Sequence, residues 1–195
     1  WIHESFANYA ESLYTECLTG SKEAGAEKVI GTRSRITNDR PIVGDYGVND
    51  QGSGDKYYKG GNLLHTLRQL VEDDERWRHA LRGLNREFRH QAVSTAQVEA
   101  YLSEATGIPL DEFFQQYLRT AEVPVLEVGR EGAMLRYRWA DVVPGFDMPV
   151  RVSVGDGPME WIHPTREWKQ MDAAAGAPLK LDPNFYVVLR ESPTR

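Results

Sequence analysis

Apolar residues recur at three- and four-residue spacing from the start of the chain: Ile2, Phe6, Tyr9, Ala10, Leu13, Tyr14 and Cys17. That spacing predicts an amphipathic helix with one buried face, and Gly20 is placed to stop it. A short helix is expected near Ser21–Ile30. From Arg33 to Gly54 the periodicity fades among Gly, Asp, Asn and Ser. A loop that long inside a compact domain is either functional or disordered. Helical spacing returns in a segment opening at Asp55, with Leu63, Leu64, Leu67, Leu70 and Val71 as its apolar stripe. The next helix opens at Asp73 and turns Trp77, Ala80, Leu81, Leu84 and Phe88 inward. Its acidic start and its Arg86 and Arg89 suit the helix dipole. Ser94-Thr-Ala-Gln97 is a capping-box pattern for a helix carrying Val98, Tyr101, Leu102 and Ala105, with Gly107 as its stop. Pro109 suits the first turn of a last helix, in which Phe113, Phe114, Tyr117 and Leu118 pack.

The period then changes from helical to alternating. Val123–Val128 opens the change. Within Ala133–Ala140, Leu135, Tyr137 and Trp139 oppose Arg136 and Arg138; Val150, Val152 and Val154 alternate with Arg151 and Ser153; Phe185–Leu189 is a last apolar run. Turn signals at 143–145, 155–157 and 182–184 separate these runs. They predict an antiparallel β-sandwich of roughly six or seven strands, with Trp161 and Trp168 among its packed aromatics. The fold class is α+β with two domains: a helical part over residues 1–121 and a β part over 122–195.

Composition narrows the function without naming it. The chain has 195 residues, 41% hydrophobic and 27% charged, an ordinary globular balance. A net charge of −6 argues against a nucleic-acid partner. No run approaches the length of a membrane span. The single cysteine, Cys17, excludes an intramolecular disulfide and is expected as a small buried hydrophobe. The compartment stays open.

Candidate chemistry is sparse on spacing alone. Glu4 has an ordinary explanation as a first-turn carboxylate favoured by the macrodipole, and Tyr57 and Tyr58 as helix-end packing aromatics. Asp45, Asp50 and Asp55 do not follow the calcium-loop spacing and read as a solvated loop. His65 reads as a capping or packing residue. Arg33, Arg35 and Arg40 could line a cleft or serve solubility. The five histidines, His3, His65, His79, His90 and His163, include no i, i+4 pair that would put two imidazoles on one helix face.

Two stretches carry a resemblance. Trp1-Ile-His-Glu-Ser-Phe-Ala-Asn-Tyr-Ala-Glu11 resembles the Trp-Leu-Asn-Glu-Gly-Phe-Ala-x-Tyr-x-Glu segment of the M1 family of zinc aminopeptidases, the gluzincins. His3 stands where that family has Asn, and Ser5 where it has Gly. Tyr57-Tyr-Lys-Gly60 resembles the family's Tyr-Glu-Lys-Gly. Residues 106–118 resemble the segment that ends its catalytic domain, with Tyr117 in place of Trp. Residues 123–128 resemble the start of its small β domain. The resemblance implies the helical half of a thermolysin-like catalytic domain followed by a β-sandwich. It implies Zn2+ as cofactor, peptides as substrates, Glu4 as third zinc ligand and Glu11 in a supporting position. It assigns to Tyr57 a hydrogen bond donated to the tetrahedral intermediate.

The His-Glu-x-x-His motif, which brings the other two ligands and the general base, is absent from these residues. The resemblance therefore implies that the chain begins partway through a catalytic domain, with the upstream half of the same polypeptide as its partner. A single carboxylate holds zinc poorly, so the fragment alone is expected to be inactive. The alternatives are an M1-like module that has lost catalysis and serves as a scaffold or peptide binder, and a free-standing structural assembly without ancestral chemistry.

Overall fold

The computed structural model describes residues 1–45, 47–131, 134–173 and 176–192. Among them the helical periodicity becomes six α-helices: α1 (Ile2–Thr19), α2 (Lys22–Ile30), α3 (Tyr58–Val71), α4 (Asp74–Glu87), α5 (Thr95–Thr106) and α6 (Asp111–Arg119). Their ends follow local chemistry. Gly20 and Gly107 close α1 and α5 at φ 68° and 69°, where a side chain is strained. Ser21 caps α2 and Asp73 caps α4. Ser94 and Gln97 form the expected capping box of α5. Pro109 lies one residue ahead of the α6 cap position, Leu110, rather than inside its first turn.

α3 is the axis of the helical part. Leu63, Leu64 and Leu67 are fully buried, and so are the polar Asn62 and Thr66. α4 brings Trp77 edge-on against Tyr9 of α1, with the indole Nε1 donating to the Tyr9 hydroxyl at 3.2 Å. Arg68 of α3 makes a two-pronged ion pair with Glu16 of α1 at 2.6 and 3.0 Å and a further bond to Asp74 at 2.8 Å. These contacts fix α1, α3 and α4 against one another.

Among the described residues seven strands follow: β1 (Val125–Glu131), β2 (Met134–Ala140), β3 (Val150–Val154), β4 (Glu160–Ile162), β5 (Lys169–Asp172), β6 (Leu179–Leu181) and β7 (Val188–Glu191). They form a four-stranded sheet, β5-β2-β1-β7, and a three-stranded sheet, β4-β3-β6. β1 and β2 pair antiparallel with Leu126 opposite Trp139, and the alternation expected for β2 holds, with Leu135, Tyr137 and Trp139 buried. Ala133, the expected first residue of that strand, lies outside the described residues. The expectation of a wholly antiparallel arrangement is corrected at the sheet edge, where β7 pairs parallel to β1. A parallel neighbour needs a long crossover, and the chain makes one through the second sheet before returning.

The expected strand over Phe185–Leu189 is also shifted. Phe185 and Tyr186 are buried outside any strand, because Tyr186 N donates to Thr66 Oγ1 of α3 and Phe185 N to Asp182 O. Tyr117 of α6 donates its hydroxyl to Tyr186 O at 2.7 Å. The segment before β7 thus plugs the strands onto the helices. Trp161 sits at the same junction, half-buried, edge-on to Phe185 and bonded to Glu72, which follows the end of α3. Trp168 is half-buried, with the guanidinium groups of Arg136 and Arg138 of β2 each 4.6 Å from its ring centre.

The first helix buries a face shifted from the one its apolar spacing predicts, with Tyr9 on both. Its buried residues are Ser5, Tyr9 and Ser12. Ile2, Phe6 and Leu13 are half-buried, whereas Ala10, Tyr14 and Cys17 are exposed. Ser5 can turn inward because α3 approaches α1 over Gly60.

Candidate functional site

Glu4 and Tyr57, far apart in sequence, come together where the first turn of α1 meets the start of α3. Glu4 is half-buried and Tyr57 is 40% exposed. The neighbouring Glu4 carboxylate raises the Tyr57 phenol above its ordinary pKa. At neutral pH Tyr57 therefore keeps its proton and can donate it in a hydrogen bond.

The turn that carries Tyr57 is built from the loop ahead of it. A short 3-10 turn, Gly54–Lys56, precedes α3, and Ser53 caps it by accepting from Asp55 N. The reading of Asp45, Asp50 and Asp55 as a solvated loop fails at Asp55, which is 2% exposed. Its carboxylate accepts from Thr37 N at 2.9 Å and Asn38 N at 2.6 Å. Asn38 adopts φ 49° in the left-handed region to present that amide. Asp39 accepts from the Ser53 hydroxyl at 2.6 Å. Asp50 pairs with Arg40, and Asp45 is exposed. The loop is thus ordered around two carboxylates and delivers Lys56 and Tyr57 to α1.

The other expected residues scatter. Glu11 is exposed on α1 and pairs with Lys28 at 3.4 Å, two turns or about 10 Å along the helix from Glu4. Arg33 turns inward to Asn62 and Pro183 O, and Arg40 serves its own loop through Asp50 and Gly52 O. Arg35 stays near the site, donating to the Tyr58 hydroxyl at 3.0 Å. Tyr57 and Tyr58 have ring centres 6.4 Å apart, and the Lys56 ammonium lies 5.9 Å over the Tyr57 ring.

Lys59, whose place sequence reasoning left unassigned, is fully buried, and its Nζ donates to Thr120 O at 3.0 Å and Ala121 O at 3.3 Å. It ties the start of α3 to the carbonyl end of α6, the end that favours a cation. Its place beside a glycine in Tyr57-Tyr-Lys-Gly60 was the available signal.

A wide cleft of about 1040 Å³ lies elsewhere, where α2 and α3 face the strands. Several of its charges are engaged. Arg151 pairs with Asp182, Arg68 with Glu16 and Asp74, and the His65 ring bonds Asn184 at 2.9 Å. Burial holds His65 below its usual pKa, so it is a neutral packing residue. Among the described residues no three His, Cys, Asp or Glu side chains converge as a metal site. Glu4 offers one carboxylate, which fits one ligand of a zinc site and cannot form a site by itself.

No protein-family model matches the chain, and no curated protein matches it in sequence. Among solved structures it is similar to aminopeptidase A of Legionella pneumophila, in a crystal structure with aspartic acid. The two are 14% identical with a TM-score of 0.69, over 97% of this chain and 24% of that one. The chain therefore has an aminopeptidase-like fold and spans 24% of that protein's length.

Proposed function

We propose that the chain is part of a zinc-dependent aminopeptidase of the M1 type, which removes N-terminal residues from peptides. The observation that carries this reading is the placement of Glu4 and Tyr57, the two residues the family resemblance marks, on either side of the Ser5–Lys56 hydrogen bond in an aminopeptidase-like fold. Residues 1–121 are the helical half of a thermolysin-like catalytic domain, and residues 122–195 with their two sheets are the β-sandwich that follows it. Glu4 is the third metal ligand. The other two ligands and the general base come from the upstream half of the same polypeptide. That half covers the outer face of α1, where Tyr14 and Leu18 are 65% and 67% exposed.

Zinc, when bound, supplies an acidified water and polarises the scissile carbonyl. The residues of this chain do the rest of their work by position. Glu4 presents a carboxylate from the first turn of a helix that Arg68 locks in place. Tyr57 holds a proton at its hydroxyl and donates a hydrogen bond to the oxygen that becomes an oxyanion. Because its donor is fixed beforehand, the bond strengthens as the charge develops.

The test compares zinc content and hydrolysis of aminoacyl chromophores in the 195 residues and in a protein extended upstream through a His-Glu-x-x-His helix. Metal and activity are expected in the extended protein alone, both lost in Glu4→Ala. Tyr57→Phe is expected to keep the metal and lower kcat by about 10²–10³-fold, as removal of an oxyanion donor does elsewhere. Zinc without hydrolysis would leave a peptide-binding module that has lost catalysis.

A further inference from the structure

We infer that Ser5 is a positioning residue of this site: its hydroxyl ties the turn carrying Tyr57 to the helix carrying Glu4, and so sets the gap between them. The inference rests on the proposed peptidase reading for its catalytic consequence, and on geometry for the tie itself.

Ser5 is fully buried, and its Oγ donates to the Lys56 carbonyl at 2.7 Å. Each end of that bond is next in sequence to one of the paired side chains, Glu4 on one side and Tyr57 on the other. Lys56 ends the 3-10 turn, and Tyr57 stands at the joint with α3, at φ −79° and ψ −67°. A joint between two helical segments is where a side chain can swing without disturbing either segment.

The bond is possible only because the helices approach so closely. A Cβ on Gly60 would lie 1.9 Å from Ser5 Oγ and 2.6 Å from Ser5 Cβ; one on Gly61 would lie 2.4 Å from Asn8 Oδ1. The glycine pair lets α3 sit against the Ser5 side chain. A buried hydroxyl without a partner is costly, so the contact that admits Ser5 also holds it to its acceptor. The segment that residues 1–11 resemble has Gly at this position, which can donate nothing from a side chain. The tie is a feature of this chain.

The test uses the whole protein labelled with 3-fluorotyrosine. The Tyr57 resonance is assigned by its loss in Tyr57→Phe. Ser5→Ala and Ser5→Gly are expected to move that resonance and to leave those of the buried Tyr9 and Tyr117 in place. Both are expected to lower kcat by about ten- to a hundredfold at unchanged KM, the scale of a misplacement near 1 Å. Once Tyr57 is already Phe, Ser5→Ala should cost no more activity, because the two changes act through one group. An unmoved Tyr57 resonance with unchanged kcat overturns the inference. So does an equal loss of kcat in the Tyr57→Phe background, which would make Ser5 a general structural residue. A resonance that moves in a protein hydrolysing nothing supports the tie and rejects the peptidase reading.

Discussion

Where α1 crosses α3, Ser5 meets Gly60 and Asn8 meets Gly61, with Tyr9 and His65 buried beside them; among the strands, the buried residues include Leu126, Leu135, Trp139, Val150 and Val152. The first contact brings backbones to a distance that only glycine allows, and the Ser5 hydroxyl then fixes direction with a hydrogen bond to Lys56 O. The second is apolar, and its free energy scales with buried area. The difference matches what each region does. An apolar core tolerates a small slide at little cost, whereas a polar, close contact has one good arrangement. The candidate site stands on the second kind of contact only through its neighbours, and directly on the first.

The largest stability effect should fall on the sheets. Trp139 is 1% exposed, packs edge-on to Phe146 and donates to Met148 O at 3.1 Å. Trp139→Ala is expected to cost about 3–5 kcal/mol, read as a lower urea midpoint. An equal loss from a change at the helix crossing would break the contrast. Gly60→Ala is the matching change there. Its new methyl would overlap Ser5 Oγ, and overpacking of this kind costs about 1–3 kcal/mol. Ser5→Gly removes the obstructing atoms, so the double variant should recover most of that loss by the same urea measurement. Purely additive losses would show that the overlap is not the cause.

A smaller effect should appear with pH. Arg68 and Lys22 hold the Asp74 carboxyl down to about 2, against an ordinary value near 3.8. A depressed folded pKa means stability that is present above the unfolded value and lost as pH falls through the folded one. Solvent on the open side of Asp74 screens the pair, which leaves about 1 kcal/mol at stake. Stability should therefore fall between about pH 4 and pH 2, and Asp74→Asn should flatten that limb of the curve. A limb unchanged in the variant would place the acid sensitivity at other carboxylates.

The same contrast decides what could be read from the sequence. β2 is legible because Leu135, Tyr137 and Trp139 alternate with arginines, and α5 because Ser94 and Gln97 announce its start. The face of α1 is legible only in part, because apolar spacing marks where hydrophobes are, not which face a neighbour approaches. At a glycine crossing the inward residues are small, and Ser5 and Ser12 count as polar. Tyr14 and Cys17 fit the apolar spacing and are nevertheless exposed. Asp55 escapes for a related reason: its partners are backbone amides of Thr37 and Asn38, which no side-chain pattern records. The parallel edge strand β7 depends on Phe185 and Tyr186 being drawn into the helices, a tertiary effect. Glu4 and Tyr57 were legible as words of a family. Their meeting depends on a crossing distance set by residues that carry no chemistry.

The smallest stability effect should come from the site itself. Tyr57 is 40% exposed, at the surface beside Glu4. Surface changes without buried partners leave stability nearly unmoved, so Tyr57→Phe should leave Tm unchanged in a thermal melt. The loss of its hydroxyl should instead appear in kcat of the whole protein. A falling Tm would mean that Tyr57 supports the α1–α3 joint, and that its nearness to Glu4 is packing. An unchanged Tm with lowered kcat would separate the two kinds of contact cleanly: Ser5 and Gly60 hold the joint, and Tyr57 only uses it.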